Sequence, residues 1–351
     1  MRNLKRIILG IGILLAGISC KSVPALEGVQ TFVYSVKGAD SLKLDVYNHA
    51  GAAIKDGRKP VFLFVHGGGW EEGSRVSDNT RLYEGFAEKG FLVVSIDYRL
   101  GYLEARKEGQ IPDKSISPDL LAGTLDEPAK MAALKRGMTE GVEDLYDATS
   151  FVVKHAKEWG ADASAIILGG SSAGACIVLQ AEYGLCNGDE VAKQRLPKGF
   201  KYAGVVSGAG ALWSFDGKKL AFGRKPCPIM LIHGKQDQLI PYTLLQFASS
   251  DMTCYGSEKI ADMLDGLDVP CWFVSCENAD HCIAGLPFVD SQDEIVSFIR
   301  RAVLDKEQLS VRSQEYTYDR PRTIINMVKE RWGMTDEEIR RILDQNGLET
   351  L

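Results

Sequence analysis

A glycine-flanked serine is the first feature of this sequence that could carry out chemistry. Residues 170–174 (GSSAG) follow the apolar run AIIL and precede an apolar helical pattern. A Gly-x-Ser-x-Gly segment between a strand and a helix is typical of a nucleophile elbow, a strained turn that exposes a serine hydroxyl. Ser172 has glycine at both flanking positions, whereas Ser171 has Gly169 and Ala173. Ser172 is therefore the predicted nucleophile, and Ser171 is the alternative.

A second glycine-rich stretch, residues 66–70 (HGGGW), comes directly after the apolar run PVFLFV. Three consecutive glycines present backbone N–H groups without side-chain obstruction, which suits an oxyanion hole. A flexible loop after a strand is the alternative interpretation. That alternative does not account for the serine elbow elsewhere in the chain, so an oxyanion hole is favoured.

A serine nucleophile needs a histidine that takes its proton and a carboxylate that orients this histidine. The chain has five histidines, and His281 lies in a loop after the apolar run CWFVS, which makes it the predicted base. The other four lie before the core strands, in the glycine loop, inside a helix and at the end of a strand (His49, His66, His155 and His233).

The predicted carboxylate is Asp237, which follows the preceding apolar run PIMLI. Glu277 and Asp280 are rivals because they are close to His281 in the sequence. Neither follows the neighbouring strand, so both are interpreted as solvated loop charges.

The elements that must position these groups alternate along the chain. Short apolar runs bounded by Gly, Pro or charges predict strands buried on both faces of a parallel sheet, and period-two patterns predict an opening antiparallel pair. Helical patterns lie between them, so we expect one α/β domain, with eight strands and helices on both faces, over residues 29–304. The predicted strands are 29–36, 41–48, 60–65, 91–96, 165–168, 202–206, 228–232 and 271–275, and the predicted helices are 80–89, 142–159, 173–183, 256–267 and 290–303.

Two segments do not fit this alternation. Residues 101–141 are charged and far longer than the roughly 2 to 6 residues of an ordinary crossover loop, so they are interpreted as an insertion that could act as a lid. Residues 305–351 predict a C-terminal helical extension, in which Thr335 and Glu338 form a capping box.

The N-terminal segment has the pattern of a signal peptide. Three positive charges lie within residues 1–6, and 12 uncharged, mostly apolar residues follow at 7–18, too few for the roughly 20 that span a bilayer. Cys20 after AGIS resembles a bacterial lipoprotein cleavage box, which predicts removal of residues 1–19 and lipidation of Cys20. A plain cleaved signal and an uncleaved anchor are the alternatives. We expect export to the bacterial cell envelope and membrane attachment through the lipid.

Composition and charge exclude several classes of protein. With 45% hydrophobic and 25% charged residues, the chain has the composition of a soluble globular protein. Removal of the three positive charges in residues 1–6 takes the net charge from -6 to -9, which argues against nucleic acid as a partner. Seven cysteines remain after Cys20, so at least one is unpaired within the chain, and a Cys276–Cys282 bridge is a candidate. Their spacing does not favour a zinc site.

The motifs HGGGW, SIDYRL, GGSSAG and IHGKQDQLIP, with a late histidine, resemble those of the α/β-hydrolase superfamily, and most closely its carboxylesterase and acetyl-esterase-like branch. The resemblance covers roughly residues 29–304. Ser172, Asp237 and His281 follow the order in which the catalytic triad occurs in this fold. After SIDYRL, the insertion replaces the short continuation that is usual in this branch.

The resemblance implies acyl transfer through a covalent acyl-enzyme, with Ser172 as nucleophile, His281 as general base and then acid, and Asp237 orienting His281. It implies backbone N–H groups of Gly68, Gly69 and Ala173 as oxyanion donors and Trp70 as a wall of the acyl pocket. It implies neither a metal nor an organic cofactor.

An exported serine esterase acting on small-molecule or carbohydrate esters, such as acetylated or feruloylated polysaccharides, is the expected function. A prolyl-oligopeptidase-like serine peptidase is an alternative, although no propeller-like pattern precedes the catalytic region. A non-catalytic surface binding protein and a lipase with a lid are others. The sequence leaves the acyl and alcohol specificity and the oligomeric state open.

Overall fold

The computed structural model describes residues 28–38, 40–49, 57–77, 80–116, 127–247 and 251–319, with residues 335 and 337. Its strands are β1 (Gly28–Lys37), β2 (Asp40–Asn48), β3 (Lys59–Val65), β4 (Leu92–Ile96), β5 (Ala161–Ser171), β6 (Gly204–Gly208), β7 (Ala211–Ser214), β8 (Ile229–Gly234), β9 (Leu244–Gln246), β10 (Thr253–Gly256), β11 (Cys271–Asn278) and β12 (Ser310–Asp319).

The helices of the described residues lie mostly between these strands. They are α1 (Thr80–Glu88), α2 (Gly101–Lys107), α3 (Pro128–His155), α4 (Ala173–Cys186), α5 (Glu190–Arg195), α6 (Ser257–Asp265), α7 (Pro287–Asp290) and α8 (Gln292–Phe298), with a 3-10 turn at His281–Ala284 and a π-helical turn at Ile299–Leu304. No helix in the described ranges is long and apolar enough to cross a membrane.

One sheet carries most of the strands, in the order β1-β2-β4-β3-β5-β6-β8-β11-β12. β1, β2 and β4 pair in antiparallel fashion, and every pair from β4 to β12 is parallel. A smaller sheet has the order β7-β10-β9. The predicted α/β-hydrolase type of fold is confirmed, with nine strands in the main sheet of the described region instead of eight.

Alternate residues of β3 explain why helices cover both faces of the sheet. Val61, Leu63 and Val65 belong to a core cluster that includes residues of α3 and α4, whereas Phe62 and Phe64 belong to a second cluster with residues of α1 and α8. All five side chains are 0% exposed. Successive side chains of a strand point to opposite faces, so a continuously apolar run requires a core on each side.

The additional strand is β12, which lies within the predicted C-terminal helical extension. It pairs in parallel with β11, from Ser310 opposite Cys271 onward. Its residues alternate between exposed and partly buried from Ser310 to Tyr316, the period-two pattern of an edge strand. The prediction of a helix for residues 305–319 is therefore corrected. The rest of the extension, apart from residues 335 and 337, lies outside the described residues, and so does Glu338 of the predicted capping box.

The predicted insertion is shorter than residues 101–141. Its first part forms α2, and its last part, from Pro128, is the beginning of α3. Arg99 fixes this region to α3, because its guanidinium donates to both carboxylate oxygens of the fully buried Asp144 at 2.9 Å. Residues 117–126 lie outside the described residues, as do the predicted signal peptide and Cys20.

The seven cysteines of the described residues form no disulfide in this structure. Six are buried, and Cys282 is partly exposed. The candidate bridge between Cys276 and Cys282 is therefore absent from this structure.

Candidate active site

Ser172 occupies the sharp turn between β5 and α4. Its φ of 52° and ψ of -119° place a non-glycine residue in a region of positive φ that costs of order 1 to 3 kcal/mol. The Ser172 N–H donates to the Gly208 carbonyl at 2.8 Å, which ties the turn to the end of β6. A Cβ at Gly170 would lie 2.5 Å from the Gly174 carbonyl oxygen, so the turn requires glycine there.

Three residues far apart in the sequence form one hydrogen-bonded chain. The Ser172 Oγ lies 2.8 Å from His281 Nε2, and His281 Nδ1 lies 2.7 Å from Asp237 Oδ2. The His281 side chain is 19% exposed, whereas the Asp237 carboxylate is fully buried. The structure thus brings together the three residues predicted as nucleophile, base and carboxylate.

The Asp237 carboxylate is surrounded by donors. Its Oδ1 accepts the backbone N–H groups of Leu239 and Ile240 at 2.8 and 2.9 Å. Its Oδ2 lies 3.2 Å from His233 Nε2 in addition to the His281 contact. Burial acts to raise the pKa of Asp237, but the charges and hydrogen bonds of His281 and His233 outweigh it and hold this pKa well below its usual value.

The rival carboxylates have other partners. Glu277 lies 2.7 Å from the Lys235 ammonium and accepts a hydrogen bond from the Ser275 hydroxyl at 2.7 Å. Asp280 accepts the Cys282 N–H at 3.0 Å and caps the 3-10 turn that begins at His281. The charge of Glu277 is thus engaged by Lys235, and Asp280 stabilises the turn that carries His281.

The predicted oxyanion loop leaves the end of β3 in an unusual backbone conformation. Gly68 and Gly69 have φ values of 113° and 62°, and a Cβ on Gly68 would lie 2.1 Å from the Glu72 carbonyl oxygen. Both glycines line the same pocket as Ser172 and His281. Ala173 is the first residue of α4, and the first N–H groups of a helix have no partner within the helix. The backbone N–H groups of the loop and of the helix start are thus the candidate oxyanion donors near Ser172.

Trp70 joins this loop to the insertion. Its side chain is 1% exposed and lines the pocket, and its carbonyl accepts the N–H of Tyr102 at 3.2 Å. A Cβ on Gly137 would lie 2.7 Å from the Trp70 Cβ, so α3 packs directly against the tryptophan. Trp70 therefore lines the pocket, and it also fixes the loop to α2 and α3. The sequence analysis does not predict this second role.

The pocket has a volume of about 760 Å³, and its lining is mixed. Ser172 and His281 line it together with polar and apolar groups. The polar residues are Glu71, Glu72, Ser77, Arg106 and Ser115, and the apolar residues are Trp70, Leu82, Ile116, Leu239, Ile240, Ala284, Leu286 and Val289.

Glu71 attaches the insertion to the pocket. Its carboxylate lies 3.1 Å from an Arg106 guanidinium nitrogen and accepts the Ile116 N–H at 3.2 Å and the Ser115 hydroxyl. The sequence analysis identifies neither Glu71 nor Arg106. The contacts join residues 35 to 45 positions apart, and no local sequence pattern predicts them.

Within the described ranges, no group of three His, Cys, Asp or Glu side chains is placed to hold a metal ion. The glycine-loop histidine, His66, is 1% exposed and stacks on Tyr98 with ring centroids 4.4 Å apart. Burial lowers the pKa of His66 to about 4. His66 is thus a neutral part of the loop at neutral pH.

Comparison with known protein families gives two partial matches. A family model described as BD-FAE matches residues 44–115, and one described as Phospholipase/Carboxylesterase matches residues 134–268. The first contains the glycine loop, and the second contains Ser172 and Asp237.

Gut esterase 1 of Caenorhabditis briggsae is 29% identical over 182 residues, which are 51% of this chain and 27% of the relative. Gut esterase 1 of Caenorhabditis elegans is 26% identical over 175 residues, which are 50% of this chain and 26% of the relative. The chain thus spans about a quarter of the length of these relatives.

Solved structures of an esterase from the Planctomycetes species Thermogutta terrifontis are similar over most of their length. The form with propionate bound has a TM-score of 0.51 and 19% identity and covers 81% of this chain and 96% of that chain. The form phosphorylated by paraoxon has a TM-score of 0.51 and 19% identity, with coverages of 79% and 95%. These similarities concern the fold.

Proposed function

We propose that this chain, an α/β-hydrolase of the esterase type, hydrolyses carboxylic esters through a covalent acyl-enzyme on Ser172. The observation that carries the proposal is the hydrogen-bonded chain from Ser172 Oγ to His281 to Asp237, with distances of 2.8 and 2.7 Å, at the wall of an open pocket. A strained turn holds the serine, and such strain is typical of functional sites.

In the first half of the reaction, the Ser172 Oγ attacks the ester carbonyl carbon while its proton moves to His281 Nε2. The negative charge that develops on the carbonyl oxygen is stabilised by backbone N–H groups of Gly68, Gly69 and Ala173. The tetrahedral intermediate then loses the alcohol, which takes the proton from His281 Nε2. The acyl group remains on Ser172.

In the second half, water replaces the alcohol. His281 Nε2 takes a proton from the water, whose oxygen attacks the acyl carbon, and the collapse of the second intermediate returns the proton to the Ser172 Oγ. The products are a carboxylic acid and free enzyme. The lowered pKa of Asp237 keeps its carboxylate ionised throughout, so that it holds the His281 Nδ1–H and stabilises the transient imidazolium.

The mixed lining of the pocket supports an ester that joins an apolar group to a polar one. Leu239, Ile240 and Leu286 offer apolar surface, whereas Glu72 offers a carboxylate that can accept hydrogen bonds from hydroxyl groups. We therefore extend the proposal to acylated carbohydrates, such as acetylated or feruloylated polysaccharides, as the substrate class.

The proposal includes a location in the bacterial cell envelope. It rests on the signal pattern of residues 1–19 and on Cys20, which we propose to be lipidated. Mass spectrometry of the membrane fraction would test this, since a diacylglyceryl group on Cys20 is expected after cleavage. A mature N-terminus at another residue, without lipid, would contradict it.

The test of the activity is hydrolysis of p-nitrophenyl esters with acyl chains from acetyl to long, on wild-type protein, Ser172→Ala and Ser171→Ala. We expect short-chain activity in the wild type, a loss of at least 1,000-fold in Ser172→Ala, and a smaller loss in Ser171→Ala. A fluorophosphonate should add its mass to Ser172. Wild-type protein that neither hydrolyses any ester nor reacts with the fluorophosphonate would refute the esterase proposal.

Acetylated and feruloylated oligosaccharides then test the substrate class. We expect kcat/KM for these esters to exceed that for the matching ethyl esters, because polar lining residues such as Glu72 can bind the hydroxyl groups of the carbohydrate. Equal values for both alcohols would contradict the carbohydrate part of the proposal and leave the esterase part standing.

A further inference from the structure

A second histidine, His233, contacts the carboxylate of the proposed triad. It lies at the end of β8, and its side chain is fully buried. Its Nε2 lies 3.2 Å from Asp237 Oδ2 and 3.2 Å from the Ile240 carbonyl oxygen, and its Nδ1 lies 2.7 Å from the Ser257 Oγ. His233 is not among the residues that line the pocket, so it can affect the reaction only through its neighbours, of which Asp237 belongs to the proposed triad.

The neighbours of His233 determine which nitrogen carries a proton. Both groups near Nε2, the Asp237 carboxylate and the Ile240 carbonyl, can only accept hydrogen bonds when the carboxylate is ionised. A lone pair on Nε2 would therefore face two acceptors, so Nε2 must be protonated. The Ser257 hydroxyl near Nδ1 can donate or accept, and its oxygen also lies 3.3 Å from the Gly210 carbonyl. His233 thus donates from Nε2 in its neutral and in its charged form.

His233 and His281 approach the same oxygen of the Asp237 carboxylate. Asp237 Oδ2 lies 2.7 Å from His281 Nδ1 and 3.2 Å from His233 Nε2, whose N–H also faces the Ile240 carbonyl, whereas Oδ1 accepts the backbone N–H groups of Leu239 and Ile240. Contacts on both oxygens fix the plane of the carboxylate. Without His233, Oδ2 keeps only the His281 contact, and the carboxylate is free to tilt away from it.

We infer that His233 is a positioning residue, which holds Asp237 in the orientation that His281 requires. The inference rests on the proposed function, because the orientation of His281 matters only if Ser172 is the nucleophile. Misplacement of a catalytic group by the order of 1 Å can cost about 100-fold in rate. Loss of the His233 donor is therefore expected to lower kcat by about 10- to 100-fold without a comparable change in KM.

The experiment compares His233→Leu, which removes the donor, with His233→Gln, whose amide N–H can reach the same region. Both are measured in full-length protein with p-nitrophenyl acetate, and active sites are counted by reaction with a fluorophosphonate. We expect His233→Leu to lose about 10- to 100-fold in kcat per active site, and His233→Gln to recover at least a third of the wild-type value.

A double variant with Asp237→Asn distinguishes a positioning role of His233 from a merely structural one. If His233 acts through the Asp237 carboxylate, His233→Leu should lower kcat by less than twofold when Asp237→Asn is already present, since coupled residues are not additive. A second readout needs no activity. The low-field proton resonance of His281 Nδ1–H, expected in the wild type, should shift or broaden in His233→Leu and return in His233→Gln.

The inference is overturned if His233→Leu retains wild-type kcat per active site, if His233→Gln is as impaired as His233→Leu, or if His233→Leu costs the same factor in the Asp237→Asn background. If His233→Leu does not fold, His233→Met, which also lacks the donor, replaces it under the same criteria. Failure of the esterase proposal would look different, because wild-type protein would then show neither hydrolysis nor fluorophosphonate labelling.

Discussion

Gly174→Ala tests how the proposed nucleophile is held against the oxyanion loop. Gly174 is the second residue of α4 and lies against the end of β3. A Cβ at this position would lie 2.1 Å from the Val65 carbonyl oxygen and 2.5 Å from the His66 carbonyl oxygen. Both contacts involve backbone atoms, so no side-chain rotation can relieve them.

The magnitude follows from these distances. Relief of the Val65 contact from 2.1 Å to ordinary van der Waals contact at 3.4 Å requires α4 and β3 to separate by about 1.3 Å. Overpacking of this kind costs about 1 to 3 kcal/mol, offset by at most about 1 kcal/mol from the better helix propensity of alanine. Since Ser172 and the glycine loop lie on opposite sides of this contact, a separation of about 1 Å predicts a kcat loss of about 100-fold.

The assay is urea unfolding followed by circular dichroism, together with kcat on p-nitrophenyl acetate. Gly266→Ala at the end of α6 is the matched control, because a Cβ there lies at least 3.5 Å from the nearest carbonyl oxygens and the φ is -63°. We expect the control to retain wild-type kcat. Gly174→Ala with wild-type stability and kcat would refute the close approach of α4 to β3.

Three other predictions concern buried ionisable side chains. Burial lowers the pKa of His66 from 6.5 to about 4, so the unfolded chain binds a proton that the folded chain does not. The free energy of unfolding should therefore fall by about 3 kcal/mol as the pH is lowered from 6.5 to about 4. His66→Gln should lack this part of the pH dependence in urea unfolding. Asp237→Asn should lower kcat by about 10⁴-fold in steady-state assays, because the amide can favour the wrong His281 tautomer, and a loss under tenfold would contradict the assigned role. Asp144 is fully buried and pairs with Arg99, whose side chain is 19% exposed, so Asp144→Asn should lower the free energy of unfolding by about 3 kcal/mol in urea unfolding. Asp262→Asn, in an exposed pair, should lower it by under about 1 kcal/mol, and equal losses would contradict the argument.

The parallel core could be predicted from sequence because its strands are buried on both faces. Runs such as residues 60–65 and 228–232 are continuously apolar, and the structure contains strands there. β12 gave no such signal, since an edge strand with Arg312, Gln314 and Glu315 is half-exposed. The start of α3 at Pro128 was also missed, because polar residues in residues 128–141 mask the helical pattern that continues into residues 142–155.

The residues of the candidate site were predictable where chain order and strand ends constrain them. Ser172 and Asp237 follow strands, and His281 follows the last strand of the core, so elimination among five histidines was informative. The contact of His233 with Asp237 was not predicted, because the sequence places His233 at the end of a strand and does not show that the turn at Asp237 returns to it. Glu71 was missed for the same reason, since its partners in the insertion lie 35 to 45 residues away.

The geometry of the site depends on contacts between backbones at one edge of the sheet. Gly170 pairs with Val65 on β3, and Ser171 pairs with Gly208 on β6, so β3, β5 and β6 end at the same level. A Cβ on Gly67 would lie 3.1 Å from the Ser171 carbonyl oxygen, which brings the oxyanion loop directly against the elbow.

The polar wall of the pocket, in contrast, is held by side chains from the insertion, Arg106 and Ser115, on Glu71. Two independent sets of contacts therefore support the proposed chemistry and the proposed specificity. Changes in the insertion can alter which alcohol the pocket accepts while the backbone contacts keep Ser172 in place. The insertion is accordingly where we expect the substrate preference of this chain to be determined.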